Sequence, residues 1–231
     1  MKTIGIIGGV GWASTMEYYR RFNETINEKF GGLTSAEILM YSLNFQEIID
    51  FQKNSDFQNE LKMLKKIALT LESAGADVLI ITSNTTSKTF DEIKKSINIP
   101  IVNVIDVTIN KILQDKIKNV GVLGTQSVMY TNFYKNKFEE SNIHPIFPPK
   151  DMGLKLNDII YNELIHNIIK KESVTFIKDT ISYLVKKEKV DAIVLGCTEL
   201  PLAVTEKRLH GVKIFDTIQI HVDETIDKII N

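Results

Sequence analysis

Short apolar runs rich in Ile and Val alternate with helix-period segments from one end of this chain to the other, and few folds satisfy that order. The runs are Thr3–Gly8, Glu37–Leu43, Val78–Thr82, Ile101–Val104, Val120–Gly124, Pro145–Phe147, Ala192–Leu195 and Lys213–Phe215. Continuous apolar runs of about four to seven residues suit strands buried on both faces, as in parallel sheets. Between them, Asn59–Ser73 places Leu61, Leu64, Ile67, Ala68 and Leu71 on one helical face, and Val174–Val185 does the same with Ile177, Ile181, Leu184 and Val185. Strand and helix in strict alternation predict an α/β fold with helices packed on parallel sheets.

The chain also repeats itself. Ile4-Gly5-Ile6-Ile7-Gly8 matches Val120-Gly121-Val122-Leu123-Gly124, Ala76–Asn84 matches Val190–Thr198, and Ile101–Val104 matches Lys213–Asp216, in the same order at offsets of 112–116 residues. Three ordered matches at nearly one spacing predict two similar halves. Ser83 and Cys197 then end equivalent strands. Ligands of open α/β sheets bind beyond strand carboxyl ends, so the two residues are expected on opposite sides of one ligand.

Composition sets limits. The 231 residues are 43% hydrophobic and 25% charged with a formal net charge of −1, which provides no overall field for nucleic acid or an anionic membrane. The N-terminal apolar run is too short for a signal peptide, and no stretch approaches the ~20 apolar residues of a membrane span, so a cytoplasmic protein is expected. A single cysteine excludes an internal disulfide and a thiolate metal centre. His144, His166, His210 and His221 share no ligand spacing, and no metal is expected.

Three segments could carry chemistry. Gly8-Gly9-Val10-Gly11-Trp12-Ala13-Ser14-Thr15 approaches a dinucleotide fingerprint, but the third glycine and the acidic residue ending the second strand are missing. A tight strand-to-helix turn, or an anion against the helix start, fits it better. Thr82-Ser83-Asn84-Thr85-Thr86-Ser87 offers hydroxyls and an amide that either cap a helix over Thr89–Ile93 or bind a carboxylate. Gly196-Cys197-Thr198-Glu199 places the lone thiol at a strand's carboxyl end and at an expected helix start, where a lowered thiol pKa would make it a proton acceptor. An inert buried cysteine is the alternative.

Taken together, Gly8-Gly9-x-Gly11, the Asn84-Thr85 turn, Leu123-Gly124-Thr125, Gly196-Cys197-Thr198-Glu199 and Phe215-Asp216-Thr217 resemble the aspartate/glutamate racemase family along the whole chain. The run Gly11-Trp12-x-Ser14-Thr15-x-x-Tyr18-Tyr19-Arg20 is similar to a bacterial, broad-specificity branch. The resemblance implies two pseudo-symmetric three-layer α/β/α domains, each with a mainly parallel sheet and with the active site in the cleft between them. The first would comprise residues 1–115 plus 210–231, and the second residues 116–209. It further implies an isomerase that needs neither pyridoxal phosphate nor any other cofactor, acts on aspartate or glutamate, and forms a homodimer. Cys197 and Ser83 would be catalytic, with Gln52, Asn84, Thr85, Thr125, Thr198 and Glu199 as substrate contacts.

Several positions depart from the family pattern. The first of its two cysteines is Ser83 here, by nature or by engineering, and the histidine often found four residues later is Ser87. Proton exchange is therefore expected to favour the L-enantiomer, with Cys197 as its acid/base and Ser83 or water on the other face. The basic pair that holds carboxylates in aspartate racemases is replaced by Gln52-Lys53 and Ile165-His166. A single-cysteine decarboxylase or isomerase, or a non-catalytic binder of acidic amino acids, are the alternatives.

Overall fold

The structure, a computed structural model, describes residues 1–230, with Ser87 described by its backbone only. In chain order the elements are β1 (Ile4–Gly8), α1 (Trp12–Phe30), β2 (Ile38–Ser42), α2 (Phe45–Lys53), α3 (Phe57–Ser73), β3 (Val78–Ile81), α4 (Phe90–Lys94), β4 (Ile101–Val102), α5 (Val104–Gln114), β5 (Asn119–Leu123), α6 (Gln126–Tyr130), α7 (Asn132–Glu139), β6 (His144–Ile146), α8 (Lys150–Asn162), α9 (Lys171–Lys186), β7 (Ala192–Leu195), β8 (Arg208–Leu209), β9 (Val212–Asp216) and α10 (Thr217–Ile230). Short 3₁₀ turns occupy Thr86–Thr89, Leu164–His166 and Leu200–Leu202.

The chain divides into two compact units, Met1–Asn103 with His221–Asn231, and Val104–Ile220. These boundaries differ from the expected 115 and 210 for a physical reason. β9 pairs in parallel with β7, so residues through Asp216 are tied to the second sheet, and α5 precedes β5 within the same unit.

The first sheet has strand order β2-β1-β3-β4, all parallel, and the second has order β6-β5-β7-β9-β8, parallel except for the β8–β9 pair. Setting aside β8, the two orders are the same topology: β1 matches β5, β3 matches β7 and β4 matches β9. The sequence repeat is therefore a repeat of sheet connectivity. Even the close contacts recur. A Cβ on Gly5 would fall 2.3 Å from Leu79 Cδ2, and one on Gly121 would fall 2.7 Å from Ile193 Cδ1, so glycine admits the neighbouring strand's side chain in both units.

Local chemistry explains the elements. β1, β3 and β7 are buried at every residue, which accounts for their unbroken apolar sequences. α3 begins at Asp56, whose carboxylate accepts from Asn59 N, and buries Leu61, Leu64, Ile67, Ala68 and Leu71 against the first sheet's core. α2 begins at Asn44, whose side chain accepts from Gln46 N. Among the described residues no helix is long and apolar enough to cross a membrane.

Candidate active site

In the second unit the site begins where β7 stops. Cys197, two residues past the strand, is 6% exposed, and its Sγ donates to Glu199 Oε2 at 3.0 Å. The Thr198 hydroxyl donates to the same oxygen at 3.0 Å. All three side chains are buried, so one carboxylate oxygen collects two donors in a poorly solvated place.

This arrangement overturns the expected direction of the thiol's pKa. Burial pushes the Cys197 thiol well up from its ordinary value, and the Glu199 charge and the thiol's own hydrogen bond to that carboxylate push the same way. The helix expected to lower it is a three-residue 3₁₀ turn, Leu200–Leu202, with too few aligned peptides for a useful dipole. Cys197 is therefore held as a thiol, hydrogen-bonded to a buried carboxylate.

Two tyrosines missed by sequence reasoning lie within electrostatic reach of this pair. Tyr134 is fully buried and stacks on Phe138 with ring centroids 4.9 Å apart, and burial and then Cys197 push its phenol up. Burial first, then Cys197 and Glu199, push Tyr161 up to about 12. Neither residue carries a periodic signal that ties it to Cys197. Thr125, the expected contact at the end of β5, is 7% exposed and starts α6, its carbonyl accepting from Val128 N and Met129 N, each at 3.0 Å.

In the first unit, Ser83 holds the corresponding place, two residues past β3, and is likewise 6% exposed. Its Oγ accepts from Thr86 N at 3.2 Å and from the Thr86 hydroxyl at 3.0 Å, so Ser83 caps the Thr86–Thr89 turn. Asn84 is buried beside it and Thr85 is half-buried. The expected helix over Thr89–Ile93 is that 3₁₀ turn followed by α4. The side chain of Ser87, at the family's histidine position, lies outside the described residues.

The glycine-rich turn proves to be a structural joint. Gly9 has φ 83° and a Cβ there would meet Leu43 O at 2.3 Å, so only glycine fits. Its N–H is taken by Thr15 Oγ1 at 3.0 Å, and Thr15 Oγ1 also meets Thr82 Oγ1 at 3.2 Å. The turn thus joins β1, α1 and the end of β3, and its first amide is spent internally rather than offered to an anion.

Gln52, on α2, is not a lone side chain. Its Nε2 donates to Glu60 Oε1 at 2.9 Å, and Lys88 Nζ lies 2.8 Å from Glu60 Oε2 as an ion pair out of hydrogen-bond alignment. Glu60 is wholly buried on α3. Sequence reading missed Glu60 and Lys88, although a signal existed: Glu60 falls on the same helical stripe as Leu64, Ile67 and Leu71, where a charge requires a partner. Lys53 and His166 are exposed. Among the described residues no group of three His, Cys, Asp or Glu could hold a metal ion.

The chain is similar to known proteins along its whole length. The family model for Asp/Glu/Hydantoin racemase matches residues 7–225. The solved structure of an aspartate racemase homologue from Pyrococcus horikoshii OT3 superposes with a TM-score of 0.87 at 34% identity, covering 100% of both chains. Glutamate racemase of Hydrogenobaculum sp. is 26% identical over 84% of this chain and 68% of its own length. Glutamate racemase of Aquifex pyrophilus is 27% identical over 64% of this chain, which spans only 56% of that enzyme.

Proposed function

This chain belongs to the Asp/Glu/hydantoin racemase family, and from that premise we propose that it is an isomerase that exchanges the α-proton of a small acidic amino acid, aspartate or glutamate, without a cofactor. The observation that carries the reading is the buried hydrogen bond from Cys197 Sγ to Glu199 Oε2 at 3.0 Å. A resting thiol cannot remove a proton from carbon. With Glu199 in contact, the S–H proton passes to the carboxylate, the thiolate takes the substrate's α-proton, and the C–H electron pair moves into the α-carboxylate system. Proton transfers of this kind contribute about 10²- to 10⁴-fold each.

Asn84, Thr85, Thr125 and Thr198 are proposed as hydrogen-bond donors to the substrate carboxylates, where donors fixed in advance stabilise the developing negative charge. Gln52 is the further contact. Glu199, expected as a substrate contact, is better employed as the thiol's proton acceptor. Ser83 or a water molecule returns a proton to the opposite face. The Ser83 oxygen already accepts two hydrogen bonds from Thr86, and a hydroxyl is a much weaker acid than a thiol, so this return is the slow half and exchange favours the L-enantiomer. The same feature favours a second reading, a one-sided proton reaction such as decarboxylation, which release of carbon dioxide would reveal. The homodimer implied by the family likeness is part of the proposal, and light scattering in solution tests it.

Deuterium uptake at the α-carbon of L-aspartate and L-glutamate in heavy water, followed by proton NMR, tests the reading. We expect uptake with at least one of the two and its loss in Cys197→Ala. Absence of uptake with both, or uptake that survives Cys197→Ala, contradicts it.

A further inference from the structure

We propose that Lys88, held against the buried Glu60 beside Gln52, is the cation that reads the distal carboxylate of the substrate. This rests on the acidic amino acid reading above and gives it a specificity residue. A dicarboxylate needs a positive partner for its second charged group, and residue 52 offers only a neutral amide.

The Glu60 side chain fixes what that amide can do. An ionised carboxylate only accepts, so the hydrogen bond at 2.9 Å takes one of the two Gln52 Nε2 hydrogens and leaves one neutral N–H for a ligand. A positive charge comes from the other group on the same buried acid. Lys88 Nζ is 2.8 Å from Glu60 Oε2, so ammonium and amide are neighbours around one carboxylate.

The pair is polarised outward. The Lys88 side chain is 29% exposed and that of Glu60 is 1% exposed, so the positive end faces solvent and the negative end faces the core. The ion pair lies out of hydrogen-bond alignment, which leaves ammonium protons for a third partner. The Phe57 ring, 5.8 Å from Nζ, backs the cation.

Placement completes the argument. Lys88 sits in the Thr86–Thr89 turn whose start is capped by Ser83 Oγ. The cation is therefore carried on a short, hydrogen-bonded turn from the residue proposed to work at the substrate's α-carbon. Glu60 is a positioning residue that acts through Lys88 and Gln52.

The test is a double variant, Glu60→Gln with Lys88→Met, which removes the cation without stranding a buried charge. KM and kcat for α-proton exchange are compared on L-aspartate, L-glutamate, L-asparagine and L-glutamine. We expect KM for the two dicarboxylates to rise about tenfold or more, as for loss of a hydrogen bond to a charged group. The carboxamides should change far less, and Lys88→Arg with Glu60 intact should restore the preference. An unchanged KM for aspartate and glutamate, or an equal loss for all four, overturns the proposal. If the double variant does not fold, Lys88→Gln is read by the same ratios. If the native protein exchanges no α-proton, the racemase reading fails on its own, and Lys88 is judged by calorimetric affinity for L-aspartate against L-asparagine. No preference for L-aspartate there, or one that survives loss of Lys88, overturns the proposal as well.

Discussion

At the scale of single residues, the chemistry turns on one carboxylate. Burial, and then the Glu199 charge, keep Cys197 protonated at rest, and in the proposed mechanism Glu199 is also the group to which that proton goes. Glu199→Gln separates these roles because they move two measurements in opposite directions. Loss of the charge lowers the thiol pKa, so alkylation of Cys197 by iodoacetamide near neutral pH speeds up. Loss of the proton acceptor slows α-proton exchange by about 10²-fold or more. Faster alkylation with undiminished exchange would leave Glu199 as a group that sets the thiol's pKa and takes no part in proton transfer. The cysteine itself was legible from its place at a strand end. Glu199 was read as a substrate contact, and its hydrogen bond to the thiol shows only once the turn after β7 is folded. Gln52 was singled out by family likeness, while the buried acid it donates to lies on a different helix.

At the scale of elements, the strands were readable because burial on both faces leaves an unbroken apolar run. β8 was not: it is two residues long, Arg208–Leu209, at a sheet edge with one side open, and no pattern develops in so short a strand. The helix expected after Ser83 starts as a 3₁₀ turn because the serine and Thr86 hydroxyls tie down its first residues. The glycine-rich turn makes a prediction at this scale. Gly9→Ala places a side chain at φ 83° with its Cβ 2.3 Å from Leu43 O, and backbone cannot yield as a flexible side chain would. We expect a loss of about 2 kcal/mol or more and a Tm lower by about 5 °C in thermal unfolding. A wild-type Tm would show that the turn has slack.

At the scale of the whole molecule, the duplicated order β2-β1-β3-β4 and β6-β5-β7-β9 explains why Ser83 and Cys197 stand at matching places, each two residues beyond its strand. The repeat was visible in sequence because glycines and branched residues recur where strands press together. The boundaries were not, because one falls at the start of α5 and the other inside α10, where no linker marks them. His221, where the chain re-enters the first unit, adds a pH dependence. Its Nε2–H donates to Val102 O at 3.0 Å and its Nδ1 lies 2.9 Å from Tyr18 Oη, and the ring is buried where its charged form is poorly solvated. Burial lowers its pKa from 6.5 to about 4. The unfolded chain therefore binds the extra proton first. This contribution is complete above pH 6.5 and is lost as pH falls toward 4, up to about 3 kcal/mol. Urea unfolding at pH 7 and pH 4.5 should show the loss, and His221→Gln should flatten it.

The most direct measurement compares initial rates of α-proton exchange from the L- and D-enantiomers of aspartate and glutamate in heavy water, in the native chain and in Ser83→Cys. One-sided chemistry at Cys197 predicts faster exchange from the L-enantiomer by about tenfold or more, and a gain on the D-enantiomer when a thiol replaces Ser83. Equal rates from both enantiomers in the native chain, with no change on Ser83→Cys, would contradict it.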